Sequence, residues 1–301
     1  MMIWHILGSG AIGCLWAAQL HESGHDVRLV VRSPERLAEL NANQGVTYTD
    51  MDGKQIHSAI QGETADNNAL ITHLIVTTKA FATLSALDSI KHRLTPETRV
   101  LLLQNGMGQQ YETHSHFPEL LLWAASTTDG AYLTSPFNVV RAGRGETLYG
   151  QLFAPTEQSQ LLPEPIGDLR VNRVPDIEQR LWCKVAINAV INPLTAINDC
   201  KNGELLDNAV ITQFMEELCQ EIEQIASAAG QPLFDEPLYN KVVSVASQTS
   251  SNYSSMLQDI RHQRPTEIEQ ISGFLCQSAT KTNTPAPLNQ ALLAQIRLMS
   301  S

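Results

Sequence analysis

Lys184, Asn188 and Asn192 recur at four-residue intervals in RLWCKVAINAVINPLTAINDCKNGEL, residues 180–205. That spacing puts one amine and two amides on the same face of a helix. The residues around them, Val185, Ala186, Ile187, Val190 and Ile191, are apolar, and burying an unpaired ammonium or amide is costly. Two readings fit the stripe. It is a polar face turned to water, with amides satisfying nearby backbone, or it is an aligned set of groups facing a small polyoxygenated substrate. In the second reading Lys184 protonates an oxygen as a hydride reaches the attached carbon, and it attracts a carboxylate. Asn202, in DCKNGEL, caps the region or completes that pocket.

A hydride needs a carrier, and the start of the chain offers a place for one. GSGAIG at 8–13 spaces Gly8, Gly10 and Gly13 as G-x-G-x-x-G, between an apolar strand pattern at 3–7 and the helix formers of 11–20. Such a turn gives a dinucleotide close approach to the backbone and a helix N-terminus for its pyrophosphate. The competing reading is a packing turn. The next strand pattern, VRLVVR at 27–32, ends in Arg32 rather than in the Asp or Glu that accepts from the ribose of NAD. A guanidinium there grips the extra phosphate of NADP, unless Arg32 is only a solvated strand end. Asp26 lies at the wrong end of that strand to be the ribose carboxylate. Lys79 in TTKA and Asn105 in LQNGMG each follow a further strand pattern. Asn offers donor and acceptor to a carboxamide or ribose, and Lys suits an anion or hydroxyl.

The elements that must hold these residues alternate. Strand patterns at 3–7, 27–32, 73–79 and 100–106 are separated by helical ones, including 80–93 and a helix after Ser33 and Pro34. This predicts an α/β fold with an open, mostly parallel sheet. The segment 46–59 reads as a hairpin around Asp52 and Gly53, and short strands over 118–150 read as antiparallel edges. The stretch 109–126 follows no recognised pattern, and His114 and His116 read as loop residues. After Pro175 helical spacing dominates, with further helices over 237–257, 265–280 and 288–299. The expected domains are therefore 1–170, binding the nucleotide at the strand C-termini, and 171–301, all helical and carrying the substrate groups.

Formal net charge is -11, with 31 acidic against 20 basic residues, which argues against a nucleic-acid surface. The five cysteines are scattered with no C-x-x-C pair, as in a reducing cytosol. No apolar run approaches the length of a membrane span. The expected location is the cytoplasm, with no membrane or nucleic-acid partner, as a monomer or homodimer. A metal site at His114 and His116 is not expected.

Together GSGAIG, Arg32, TTKA, QNGMG at 104–108, K-x-x-x-N-x-x-x-N-P at 184–193, TAINDCKNGEL and SSMLQDIRHQRPTEIE at 254–269 resemble the ketopantoate reductase (2-dehydropantoate 2-reductase) family over nearly the whole chain. The resemblance implies a Rossmann-like N-terminal domain whose residues Gly8, Ser9, Gly10, Ala11, Ile12 and Gly13 bind the pyrophosphate of NADPH. It implies Arg32 on the 2′-phosphate, Lys79 and Asn105 near the nicotinamide half, and another cofactor contact at Ala131, beside Gly130. Lys184 resembles the catalytic general acid. Asn188, Asn192 and Asn202 look like the ligands of the pantoate hydroxyls and carboxylate, and Ser255 with Ser254 matches a carboxylate contact. Glu267 matches an active-site carboxylate that contacts the cofactor and supports catalysis; by position alone it reads rather as a helix first-turn glutamate favoured by the dipole. The expected reaction is NADPH-dependent reduction of 2-dehydropantoate to pantoate, a step towards pantothenate and coenzyme A. The alternatives are a related NADP-dependent reductase of another small 2-keto or hydroxy acid, and a dinucleotide-binding sensor without chemistry.

Overall fold

The computed structural model describes residues 2–153 and 161–300. It contains two compact units, Met1–Gln104 with Gln109–Ile177, and Asn105–Gly108 with Glu178–Ser301. The division lies beyond the expected residue 170 because the strand Val171–Arg173 pairs with Thr147–Gln151 and so finishes the first unit's sheet.

In chain order the first unit contains β1 (Ile3–Leu7), α1 (Ala11–Glu22), β2 (Asp26–Val30), α2 (Pro34–Ala42), β3 (Val46–Thr49), β4 (Gln55–Ser58), β5 (Gln61–Glu63) and β6 (His73–Val76). It continues with α3 (Thr83–Ser89), β7 (Arg99–Leu102), α4 (Gln109–His116), β8 (Leu121–Thr127), β9 (Gly130–Ser135), β10 (Asn138–Gly143), β11 (Thr147–Gln151) and β12 (Val171–Arg173). Eight strands form one sheet, ordered β12-β11-β8-β7-β6-β1-β2-β5, parallel throughout except where β11 runs against β8. Strands alternate their burial between the two faces. Trp4, Ile6 and Leu101 join the core around Trp16 of α1, while Leu7, Val100 and Leu102 join the core around Leu87 and Phe117. Both faces are thus apolar, as a helix-covered parallel sheet requires. From β1 the chain adds β2 and β5 on one side and β6, β7 and β8 on the other. The reversal makes the carboxyl ends of β1 and β6 the ligand-binding point of such sheets.

The expected 46–59 hairpin is β3–β4. Asp50 Oδ1 accepts from the Asp52 and Lys54 amides at 2.9 and 2.8 Å, and Gly53 takes φ +82°. The strands β9 and β10 differ from expectation. Instead of edging the parallel sheet they join this hairpin in a second sheet, β4-β3-β10-β9, whose Tyr48, Phe137 and Val139 share the core of Trp16. Residues 109–116 form a helix, not a loop. Its buried positions include Gln109, Gln110 and Thr113, so no apolar period announces it. On it, His114 stacks on Phe153 at 4.0 Å and His116 pairs with Asp88 at 3.0 Å. The expected 80–93 helix is split into α3 flanked by 3-10 turns at Ala80–Ala82 and Lys91–Arg93.

The helical unit contains α5 (Ile177–Asn198), α6 (Ala209–Ala228), α7 (Leu238–Gln248), α8 (Ser255–Arg261), α9 (Ser272–Thr282) and α10 (Pro287–Met299). The expected 237–257 helix breaks after Gln248, where Ser250, Ser251 and Asn252 propagate helix poorly, and Ser254 caps a new one. The expected 265–280 helix starts late. Pro265, Thr266 and Glu267 precede a 3-10 turn at Ile268–Gln270, so Glu267 is not in an α-helical first turn. Buried Glu221 of α6 accepts from the Leu288 and Asn289 amides at 2.8 Å and ties down the start of α10. Among the described residues no helix is long and apolar enough to cross a membrane.

Candidate active site

The glycine turn between β1 and α1 assigns a separate task to each glycine. Gly8 takes φ +118° and passes so close to Thr77 and Thr78 that a Cβ would lie 2.9 Å from their backbone. A Cβ on Gly13 would sit 2.0 Å from the Gly8 carbonyl oxygen and 2.6 Å from Thr77 Oγ1, so only glycine lets α1 start this near the strand. Gly10, the residue before α1, faces open space: a Cβ there would meet nothing within 4 Å. The first helical bond is Cys14 N to Gly10 O at 2.9 Å, which leaves the Ala11, Ile12 and Gly13 amides without a helical acceptor. A strained turn, an open approach and three donors at a helix start suit a pyrophosphate. The turn is clamped by Thr77, whose hydroxyl donates to the Gly8 carbonyl at 2.9 Å. Sequence reasoning passed over Thr77 because its partner lies 69 residues away.

Arg32 follows β2 directly, is exposed, and makes no hydrogen bond or ion pair with the described residues. Ser33 beside it caps α2, accepting from the Arg36 amide at 3.3 Å. Lys79 is half-buried at the start of the 3-10 turn after β6. Ala131 lies in β9 with its methyl against the same core as Ala11 and Ile12 of the turn.

The second cluster lies within the helical unit. The loop Asn105–Gly108 groups with it because the Met107 amide donates to the Gln270 carbonyl at 2.8 Å and Gly106, at φ +85°, packs so close to Gln270 that an added Cβ would lie 2.6 Å from it. This loop brings Asn105 to α5, where Lys184 Nζ donates to Asn105 Oδ1 at 2.8 Å. Loss of hydration around its ammonium lowers the Lys184 pKa from 10.5 to about 8, and the Glu267 carboxylate partly opposes that fall. Glu267 itself is buried. Along the same face, Asn188 is half-buried and Asn192 buried.

Asn202 is buried beyond the end of α5. Its Nδ2 donates to Thr249 Oγ1 at 2.9 Å, while its Oδ1 is buried with no hydrogen-bond partner among the described residues. The two serines separate. Ser254 is buried, its Oγ accepting from the Leu257 amide at 3.1 Å and from Thr195 Oγ1 at 2.7 Å. Ser255, the first residue of α8, is exposed. Thr195 and Thr249 are further members that sequence reasoning missed. Thr195 lies within α5 and Thr249 just past the end of α7, and each acquires its role only through a distant partner.

Fold and turn together define a protein of the Rossmann-like, dinucleotide-binding class. Comparison with known proteins gives the same class and narrows it. The family model described as "Ketopantoate reductase PanE/ApbA" matches residues 4–153, and "Ketopantoate reductase PanE/ApbA C terminal" matches residues 176–300. The 2-dehydropantoate 2-reductase of Vibrio cholerae serotype O1 is 32% identical over 98% of this chain and 96% of its own. That of Pyrococcus horikoshii is 32% identical over 99% and 97%. Among solved structures, the probable 2-dehydropantoate 2-reductase panE from Bacillus subtilis has a TM-score of 0.81 and 26% identity, covering 99% of this chain and 100% of that one. D-mandelate dehydrogenase, in a ternary structure with NADH and anilino(oxo)acetate, shares the fold with a TM-score of 0.87 at 21% identity, covering 99% and 98%. The chain belongs to the ketopantoate reductase family.

Proposed function

We propose that this protein reduces 2-dehydropantoate to pantoate with NADPH, the reaction named for its relatives from Vibrio cholerae and Pyrococcus horikoshii. The observation that carries this reading is the 2.8 Å bond from Lys184 to Asn105 on a helix face that also bears Asn188 and Asn192. When bound, NADPH supplies the hydride for the substrate's carbonyl carbon.

The chain's own residues supply the rest. Lys184 donates a proton to the carbonyl oxygen as negative charge develops there; a pKa of about 8 leaves it protonated near neutral pH yet a competent acid. Glu267 favours the charged ammonium against the cost of its burial. Asn105 Oδ1 accepts a hydrogen bond from the ammonium and so helps fix the direction of Nζ. Asn188 and Asn192 present amides to the hydroxyl and carboxylate. Asn202, with its Nδ2 held by Thr249, offers its Oδ1 to a hydroxyl donor. Ser255 serves the carboxylate, whereas the Ser254 hydroxyl is engaged in capping α8. Gly10 and the amides that follow it accommodate the pyrophosphate, Lys79 and Ala131 make further cofactor contacts, and Arg32 pairs with the 2′-phosphate.

Steady-state assays with NADPH and a panel of 2-keto acids test the reading. Loss of reduced-nicotinamide absorbance with 2-dehydropantoate, matched by pantoate formed, is the expected result. A higher kcat/KM for another 2-keto acid would reassign the substrate, and nucleotide binding without oxidation would leave a sensor.

A further inference from the structure

Four residues after Arg32, a second guanidinium is already fixed against the glycine turn. Arg36 Nε donates to Ser9 Oγ at 3.3 Å and Nη2 donates to the Ser9 carbonyl at 3.4 Å. Its Nη1 donates to Glu39 Oε2 at 2.7 Å, and the guanidinium lies 4.2 Å from the centre of the Phe137 ring. Phe137 is fully buried in the β9–β10 connection, so the ring is a firm platform. A guanidinium carries five N–H groups, and among the described residues these three bonds leave two of them uncommitted. The Glu39 side chain is 49% exposed, and an exposed pair of this kind is weak and readily exchanged.

Arg32 and Arg36 therefore differ in kind. Arg32 is exposed and has no partner among the described residues, so it must be ordered when it grips a ligand. Arg36 is held on three sides beside Ser9, the residue between Gly8 and the open Gly10, and its ordering cost is already met in the folded chain. The α2 cap adds Ser33 between the two arginines, a hydroxyl within the same short segment.

We propose that Arg36 is a second cation for the 2′-phosphate, acting with Arg32 to set the preference for the phosphorylated nucleotide. This rests on the proposed use of NADPH. Arg36 is a specificity-determining residue, and the competing role is a brace for the glycine turn. The two roles differ in one readout. A brace holds the turn for any dinucleotide, so its loss weakens phosphorylated and unphosphorylated ligands alike. A phosphate ligand acts only on the former.

Calorimetric titration of the full-length chain with 2′,5′-ADP and with 5′-AMP separates them, using the parent, Arg32→Ala, Arg36→Ala and Arg36→Lys. Hydrogen bonds to charged groups correspond to about 10–100-fold in affinity, so Arg36→Ala should weaken 2′,5′-ADP by at least about 10-fold with 5′-AMP nearly unchanged. Retained 5′-AMP binding also reports a folded turn. Arg36→Lys, which keeps charge but loses the planar fork, should fall between. If Arg36→Ala weakens both ligands equally, or neither, while the parent prefers 2′,5′-ADP and Arg32→Ala removes part of that preference, the inference fails and the NADPH reading stands. A parent chain that does not distinguish the two ligands overturns both.

Discussion

Lys184 Nζ lies 2.8 Å from Asn105 Oδ1, joining residues 79 positions apart in the chain. Asn105 comes from the loop after β7 and Lys184 from the middle of α5, yet both belong to the same compact unit. An amide oxygen that accepts from a lysine fixes its direction without neutralising its charge, which suits a proton donor better than a carboxylate contact would.

The lowered Lys184 pKa sets a pH dependence. As general acid it must be protonated, so kcat/KM for reduction should be level below a pH of about 8 and fall above it. Glu267 raises that pKa, so Glu267→Gln should move the falling limb to lower pH while Tm changes little. Stability follows the opposite sign. Between about 8 and 10.5 the unfolded chain keeps the lysine proton that the folded chain has shed, so this group's contribution to stability rises with pH across that window. Lys184→Met should remove that rise. A kinetic limb unmoved by Glu267→Gln would exclude the coupling.

The glycines predict two different failures. Gly13→Ala forces a Cβ to within 2.0 Å of the Gly8 carbonyl, so Tm and nucleotide binding should fall together. Gly10→Ala meets no atom within 4 Å, and its backbone at φ -77° suits any residue, so the fold should persist. The added methyl would instead occupy the open approach to the helix start, and NADPH affinity should drop with Tm unchanged. Titration beside thermal melts distinguishes the two patterns.

Ser254 and Ser255 divide structure from binding. Ser254→Ala removes the α8 cap and leaves Thr195 without its partner across the unit, and should cost about 1 kcal/mol, or about 2–4 °C in Tm. Ser255→Ala should leave Tm alone and raise KM for the keto acid. Equal thermal losses in both variants would contradict this division.

Much of this organisation was legible in the sequence where a rule is local. The glycine spacing of 8–13 between a strand and a helix announced the turn, and the four-residue recurrence of Lys184, Asn188 and Asn192 announced the polar stripe. The break between α7 and α8 was less visible, because weak helix formers lower the stability of a helix without marking where it stops. α4 was hidden by its buried glutamines, which erase the apolar period. The Thr77 clamp, the Asn105–Lys184 bond and the Thr195–Ser254 pair had no sequence signal at all, since each depends on a partner brought close only by folding.

Whether Lys184 delivers the proton is tested most directly by kcat of Lys184→Ala at saturating NADPH and 2-dehydropantoate, set beside Tm and NADPH affinity. General-acid help is typically worth about 10²–10⁴-fold, so kcat should fall by at least about 100-fold with NADPH binding and Tm close to those of the parent. Lys184→Arg should remain impaired, because a guanidinium with a pKa above about 12 is a poor proton donor. A Lys184→Ala chain that keeps its full kcat would contradict the account.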